Sequence, residues 1–190
     1  MQLILASQSP RRKTLMELFR IPFEIRVSSV DEAMDPAASP SEEVARVSRL
    51  KAEAIPHGND DVVVAADTIV VCDGQVLGKP KDEEDAFRML RMLSGNSHQV
   101  MTGMTVLRGS TAVVGTEVTD IRFRPLSDEE ILSYIRTGEP MDKAGAYGIQ
   151  GGAALFAEGI VGDYYNVMGL PVCRLGQILR EIAPELMEDA

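Results

Sequence analysis

The chain has no tryptophan, only two cysteines, and aromatic residues at just 5% of its 190 positions. Each scarcity excludes something. Cys72 and Cys173 lie far apart in sequence, in apolar surroundings, so neither a cysteine metal knuckle nor a disulfide framework is expected. Two buried free thiols are expected instead. Four tyrosines and five phenylalanines offer little to stack bases on, which argues against a single-strand nucleic-acid binder. Basic residues are also outnumbered: 19 Lys and Arg face 29 Asp and Glu, for a net charge of -10. No extended cationic surface for DNA is available, although a few basic residues gathered in a pocket can still hold a small polyanion.

Long apolar runs are missing too. The opening MQLILASQSPRR has a short apolar stretch with no basic residues before it, unlike a signal peptide or a membrane span. A cytoplasmic protein without a membrane partner is the expectation. The sequence contains no internal repeat and no linker rich in Pro, Gly or Ser, so residues 1–190 are expected to form one domain. Phosphate-binding fingerprints of the G-x-x-x-x-G-K-[ST] and G-x-G-x-x-G kinds are absent, so any phosphate cradle must be built differently.

Strand and helix patterns alternate along the chain. Gln2–Ala6 reads as a buried strand, followed by a helix from Pro10 to about Phe19, capped by Ser9 and apolar at Leu15, Leu18 and Phe19. Phe23–Val27 reads as a second strand. Ser39, Pro40 and Glu42 form a capping box for a helix to about Ile55, with Val44, Val47 and Ala54 on one side. Asp61–Cys72 is a valine-rich strand, returned by an Asp73-Gly74 turn to Gln75–Leu77. Asp82 caps a helix ending at Gly95, and residues 98–108 and 112–123 form two strands joined around Gly109-Ser110. Ser127 and Glu130 open another helix. A glycine-rich loop, a strand at about 153–157, a last helix from about Pro171 and an acidic, poorly ordered tail at 183–190 complete the expectation. Hairpins among the alternating elements predict a mixed sheet flanked by helices in an α/β fold.

Four clusters carry chemistry. Ser7-Gln8-Ser9-Pro10-Arg11-Arg12 stands at a strand-to-helix junction, where free N–H groups and hydroxyls attract anions. Two arginines in a first helical turn oppose the helix dipole, which makes sense if phosphate sits there; solvated arginines on a capped helix are the alternative. Asp67, followed by Thr68, lies within an apolar strand and must be paired, hydrogen-bonded or metal-bound, unless it marks a bulge. Lys79, between Gly78 and Pro80, is a cation on a stiffened loop, and Lys51 is a weaker signal near Arg46 and Arg49. In Asp142–Gly152, small residues permit close backbone approach, Tyr147 offers a flat face, and Gln150 offers an amide for a base edge; a flexible loop is the alternative.

The blocks LILASQSPRR, VVVAADTIV, VLGKP, LSGNSHQVMTG and DKAGAYGIQG, in order and register from about residue 2 to Pro171, resemble those of the Maf family of nucleoside triphosphate pyrophosphatases. The resemblance implies two lobes around a cleft, similar to inosine-triphosphate pyrophosphatases. It implies hydrolysis of a nucleotide substrate between its α- and β-phosphates with Mg²⁺ or Mn²⁺, and a homodimer. By motif position Asp67 matches the proton acceptor, and Arg12, Thr68 and Gln150 match specificity positions. Ser7, Ser9, Arg11, Lys51, Lys79 and Lys143 match the polar lining. Asp67 is a metal ligand on this reading, with Glu32 the second carboxylate. The DKAGAYGIQG loop resembles the dTTP- and UTP-hydrolysing branch; Gln8 departs from the small residue expected between the serines. The rival expectation is a nucleotide-binding regulator of septum formation whose hydrolysis is incidental.

Overall fold

The computed structural model describes residues 1–27, 29–35 and 37–188. Seven strands form one mixed sheet: β1 (Leu3–Leu5), β2 (Phe23–Ile25), β3 (Val62–Cys72), β4 (Gln75–Leu77), β5 (Ser97–Arg108), β6 (Thr111–Phe123) and β7 (Ala157–Val161). The order is β2-β1-β3-β5-β6-β7, with β4 paired to β3. β1 runs parallel to β2 and β3, while β3–β4 and β6–β7 are antiparallel. Helices α1 (Pro10–Glu17), α2 (Pro40–Glu53), α3 (Glu83–Leu93), α4 (Asp128–Ile135), α5 (Tyr164–Met168) and α6 (Val172–Ile182) flank it. The mixed α/β expectation is met.

The chain divides into two compact units: residues 1–67, 102–117 and 169–190 make the first, and residues 68–101 and 118–168 the second. In the first, β1 is buried at all three residues, because parallel strands covered on both faces are apolar throughout. Ile4, Val63 and Ala65 pack with Ala52, Ile55 and Leu107 in its core. The second unit's core contains the buried face of α3 (Ala86, Met89, Leu90, Leu93), which packs on α4, and an edge-to-face aromatic cluster of Phe123, Tyr134, Tyr147 and Phe156 with His98.

The capping residues fall where the sequence puts them. Ser9, Ser39, Asp82 and Ser127 each accept a backbone N–H, and Ser39–Glu42 and Ser127–Glu130 are complete capping boxes. Several details differ. Leu18 follows the last residue of α1 and is exposed, so Leu15 and Met16 form the buried face instead. Ala54, likewise past its helix, is exposed, and Ala52 is buried in its place. Cys173 is exposed because α6 turns Leu175, Gly176, Ile178 and Leu179 inward; Cys72 alone is buried, and both thiols are free.

The strand expected at 153–157 begins at Ala157. Residues 152–155 form a tight turn, closed by Ala154 N–H to Gly151 O and Phe156 N–H to Ala153 O. Local hydrogen bonds outcompete strand pairing there, leaving Leu155 exposed. The short helix α5 has no apolar periodicity to announce it. The tail is structured as far as Pro184–Leu186, where Arg108 donates to Ile182 O and pairs with Glu185; residues 189 and 190 lie outside those described.

Candidate active site

In the first unit, the junction between β1 and α1 is organised around Ser7. Its Oγ accepts from Ser9 N–H at 3.2 Å and from Arg12 Nη1 at 3.3 Å. Ser9 in turn caps α1 by accepting Arg12 N–H. The Arg12 guanidinium is fixed at its other edge, Nε donating to Gly169 O at 2.7 Å. Burial lowers the pKa of Arg12; Asp67 opposes that, Arg11 adds to it, and Glu32 opposes it. Arg12 is thus a pre-positioned cation, half-buried and in the electrostatic range of both acids. Arg11, also half-buried, is next to it in the first turn. The sequence gives no sign of Gly169, which is 157 residues away from its partner.

A second group in this unit joins α2, β3 and the 29–35 loop. Lys51 Nζ lies 2.7 Å from Asp67 Oδ1 and 3.1 Å from Glu32 Oε2. Lys51 and Asp67 are largely buried, whereas Glu32 is exposed. The carboxylate inside the apolar strand is therefore paired, as its burial requires. Two hard oxygen donors converge on one cationic position, a donor type that suits Mg²⁺ or Mn²⁺. Three or more grouped His, Cys, Asp or Glu side chains are not found among the described residues, so an all-protein metal cage is not present there.

In the second unit, Thr68 is half-buried on β3, and Lys79 is exposed next to the buried Pro80. The Gly78 carbonyl preceding Lys79 accepts Gly145 N–H at 3.0 Å, which ties the lysine loop to the glycine-rich segment. That segment is built, not slack. Gly145 has φ +68, and a Cβ there would come within 2.8 Å of Val70. Ala146 follows at φ +59, an uncommon conformation for a residue with a side chain.

Glu139 organises the turn beyond. Its carboxylate accepts from Tyr134 OH and Gly152 N–H, and its carbonyl accepts from Lys143 Nζ at 2.7 Å. Lys143 also pairs with Asp142, so its ammonium is held by its own loop. Gln150 is exposed. Tyr147 corrects the sequence reading: its ring is buried edge-on to His98 and Phe123, with its hydroxyl 2.8 Å from His98 Nε2. The aromatic face is core, as the T-shaped packing dictates. Glu139 could not have been found from the sequence, since one acid after a helix-ending glycine carries no pattern.

The geometry gathers an arginine and two serine hydroxyls at the start of a helix and two carboxylates on one lysine. Residues 2–182 match the family described as Maf-like protein, and the chain belongs to that family. A protein of Alkaliphilus metalliredigens named dTTP/UTP pyrophosphatase is 50% identical over 184 residues, covering 95% of each chain. One of the same name from Symbiobacterium thermophilum is 54% identical over 181 residues, 95% of this chain and 93% of that one. A Bacillus cereus protein with that name is 46% identical over 181 residues, 95% of each. Among solved structures, a HAM1 protein from Coxiella burnetii aligns over 95% of this chain and 99% of its own, with a TM-score of 0.50 and 14% identity, a likeness of fold. No helix among the described residues is long and apolar enough to cross a membrane.

Proposed function

We propose that this chain hydrolyses dTTP and UTP to the nucleoside monophosphate and pyrophosphate. Near-full-length relatives at 46–54% identity bearing that activity in their names support the reaction class. The observation that carries the site is the convergence of Asp67 and Glu32 on Lys51, within the electrostatic reach of Arg12.

Asp67 takes a proton from water as its oxygen attacks the α-phosphorus, a task that needs a positioned carboxylate near the reacting centre. The bond from the α-phosphorus to the bridging oxygen breaks, and pyrophosphate departs with the electron pair. Arg12, with Ser7 and Ser9, binds phosphate oxygens; Lys51 and Lys79 neutralise charge gathering on the leaving group. Arg11 and Lys143 add positive charge to the lining. Asp67 and Glu32 would hold Mg²⁺ or Mn²⁺, which supplies charge neutralisation to the triphosphate when bound. Gln150 reads the pyrimidine edge through its amide, and Thr68 contributes a hydroxyl. The net charge of -10 supports a free nucleotide in place of nucleic acid as partner. The family resemblance carries a homodimer.

The test is pyrophosphate release across canonical and modified triphosphates with Mg²⁺ or Mn²⁺, alongside Asp67→Asn. Release from dTTP and UTP should fall on the order of 10²–10⁴-fold in the variant, the usual worth of a general base. Full turnover by Asp67→Asn removes Asp67 from the central role. Release from modified purines alone overturns the pyrimidine assignment.

A further inference from the structure

Glu43 is the only carboxylate fully buried among the described residues, with 4% of its surface exposed, and none of the roles above uses it. It occupies the first turn of α2, where Ser39 and Glu42 already complete the cap. Its carboxylate is therefore not needed to end the helix. Instead both oxygens are gripped by Arg46, Nε to Oε1 at 2.8 Å and Nη2 to Oε2 at 2.8 Å. The pair then reaches off the helix. Oε2 accepts Asp35 N–H at 2.7 Å, and Arg46 Nη2 donates to Ala33 O at 2.7 Å.

Those two backbone groups belong to the loop that carries Glu32. The loop is neither strand nor helix at 29–35, its local bond runs from Ala33 N–H to Asp31 Oδ1 at 2.9 Å, and Glu32 is exposed, so local structure alone holds that side chain lightly. An i,i+3 ion pair on an open helix face contributes little and fixes nothing. A bidentate pair whose carboxylate is buried, and which also donates to and accepts from the loop backbone, does fix it, although the arginine itself is exposed. Arg46 and the Asp35 N–H also hold the Glu43 carboxyl down at about 2, so it stays ionised wherever the enzyme would work.

We propose that Glu43 and Arg46 form a clamp that positions the Glu32 carboxylate beside Lys51 and Asp67. Glu43 and Arg46 touch no reacting atom; they act through Glu32, and the inference rests on the role given to Glu32 above. Displacing a functional group by about 1 Å costs on the order of 10²-fold in rate, so loosening the clamp should register in catalysis before it registers in folding. Glu43→Gln keeps the shape but turns an amide donor toward Arg46 or Asp35 N–H, and Arg46→Met removes the bond to Ala33 O and the grip on Glu43.

The experiment compares wild type, Glu43→Gln, Arg46→Met, Glu32→Gln and Glu32→Gln/Glu43→Gln. It measures kcat and KM for dTTP, Mn²⁺ affinity by electron paramagnetic resonance without nucleotide, and amide exchange across residues 31–35. The expected result is a roughly tenfold loss of kcat and of Mn²⁺ affinity in each clamp variant, the scale on which outer groups tune a ligand. Exchange at Asp35 should quicken, and the double variant should be no worse than Glu32→Gln. Losses that multiply in the double variant would overturn the proposal, because independent sites add in free energy. So would a clamp variant that lowers the melting temperature while kcat and Mn²⁺ affinity stay at wild type. Wild-type turnover in Glu32→Gln overturns it as well, but leaves the reaction itself to be decided by Asp67→Asn.

Discussion

The two units hold their site residues by different means. In the first, side chains from distant elements meet: Arg12 on Gly169, Lys51 on Asp67 and Glu32, and Glu43 with Arg46 on the 33–35 backbone. In the second, backbone shape does the work. Left-handed Gly145 and Ala146, the Glu139 turn and the Gly78–Gly145 bond set the segment bearing Lys143 and Gln150. A site for charge transfer needs fixed charges, and a site for reading a base needs a fixed backbone path with a few amides along it. Substitutions should therefore separate the two: ionic changes alter turnover in the first unit, and changes of backbone freedom alter substrate binding in the second.

The largest stability effect is expected at Gly103 in the first unit. A Cβ there would lie 2.2 Å from Val44 O and 2.6 Å from Ala45 N, both backbone atoms of α2. Gly103→Ala must push a whole helix, costing about 3 kcal/mol at the upper end of overpacking. For a chain of this size that lowers the melting temperature by about 6–12 °C. At Gly145 the obstacle is the Val70 side chain plus a left-handed φ, so Gly145→Ala should cost about 1–2 kcal/mol. The comparison sharpens in KM: Gly145→Ala should raise KM for dTTP, while folded Gly103→Ala should not. Equal KM values in the two variants would break it.

What the sequence could reveal follows the same division. Asp67 was legible because a carboxylate inside VVVAADTIV cannot be buried alone, and its partner Lys51 lies 2.7 Å away. Ser9 and Arg12 were legible because a cap and its following turn are local. Gly169, Glu43 and Glu139 were not, since each acts through a tertiary contact or a backbone bond that no spacing encodes. The strand placed at 153–157 failed for the opposite reason: its apolar run is real, but Ala153 and Phe156 are buried from a turn, not from a strand. Tyr147 reads from the sequence as a flat face in a glycine-rich loop, whereas the aromatic core that takes it in comes from His98 and Phe123.

That aromatic core makes the second unit sensitive to mild acid. His98 is 2% exposed, and burial holds its pKa down at about 4, from an ordinary 6.5. Unfolded chains take up a proton through 6.5 that the folded chain refuses, so stability is fully present above that value and declines as pH falls toward 4. The loss amounts to about 3 kcal/mol across the window. Glu43 and Glu130, held down at about 2, act lower, their contributions fading as pH falls from about 4.5. Urea unfolding at pH 7 and pH 5 should show a clear drop for wild type and a flatter response for His98→Phe. An unchanged slope in the variant would place the acid-sensitive group elsewhere.

Tyr147→Phe tests whether the aromatic cluster takes part in reading the base. The substitution removes the hydroxyl opposite His98 Nε2 and leaves the ring packing intact. His98 Nδ1 already has no partner among the described residues, so the variant would leave both ring nitrogens buried and unbonded there. One such group costs about 1–3 kcal/mol, and the melting temperature should fall by a few degrees. Discrimination among dTTP, UTP and CTP should not move, because the buried ring presents no face to a nucleotide. Gln150→Ala should do the reverse, keeping stability while eroding discrimination. If Tyr147→Phe shifted substrate preference at constant stability, the aromatic cluster would belong to the base-reading apparatus after all, and the distinction between a charge-built unit and a backbone-built unit would have to be redrawn.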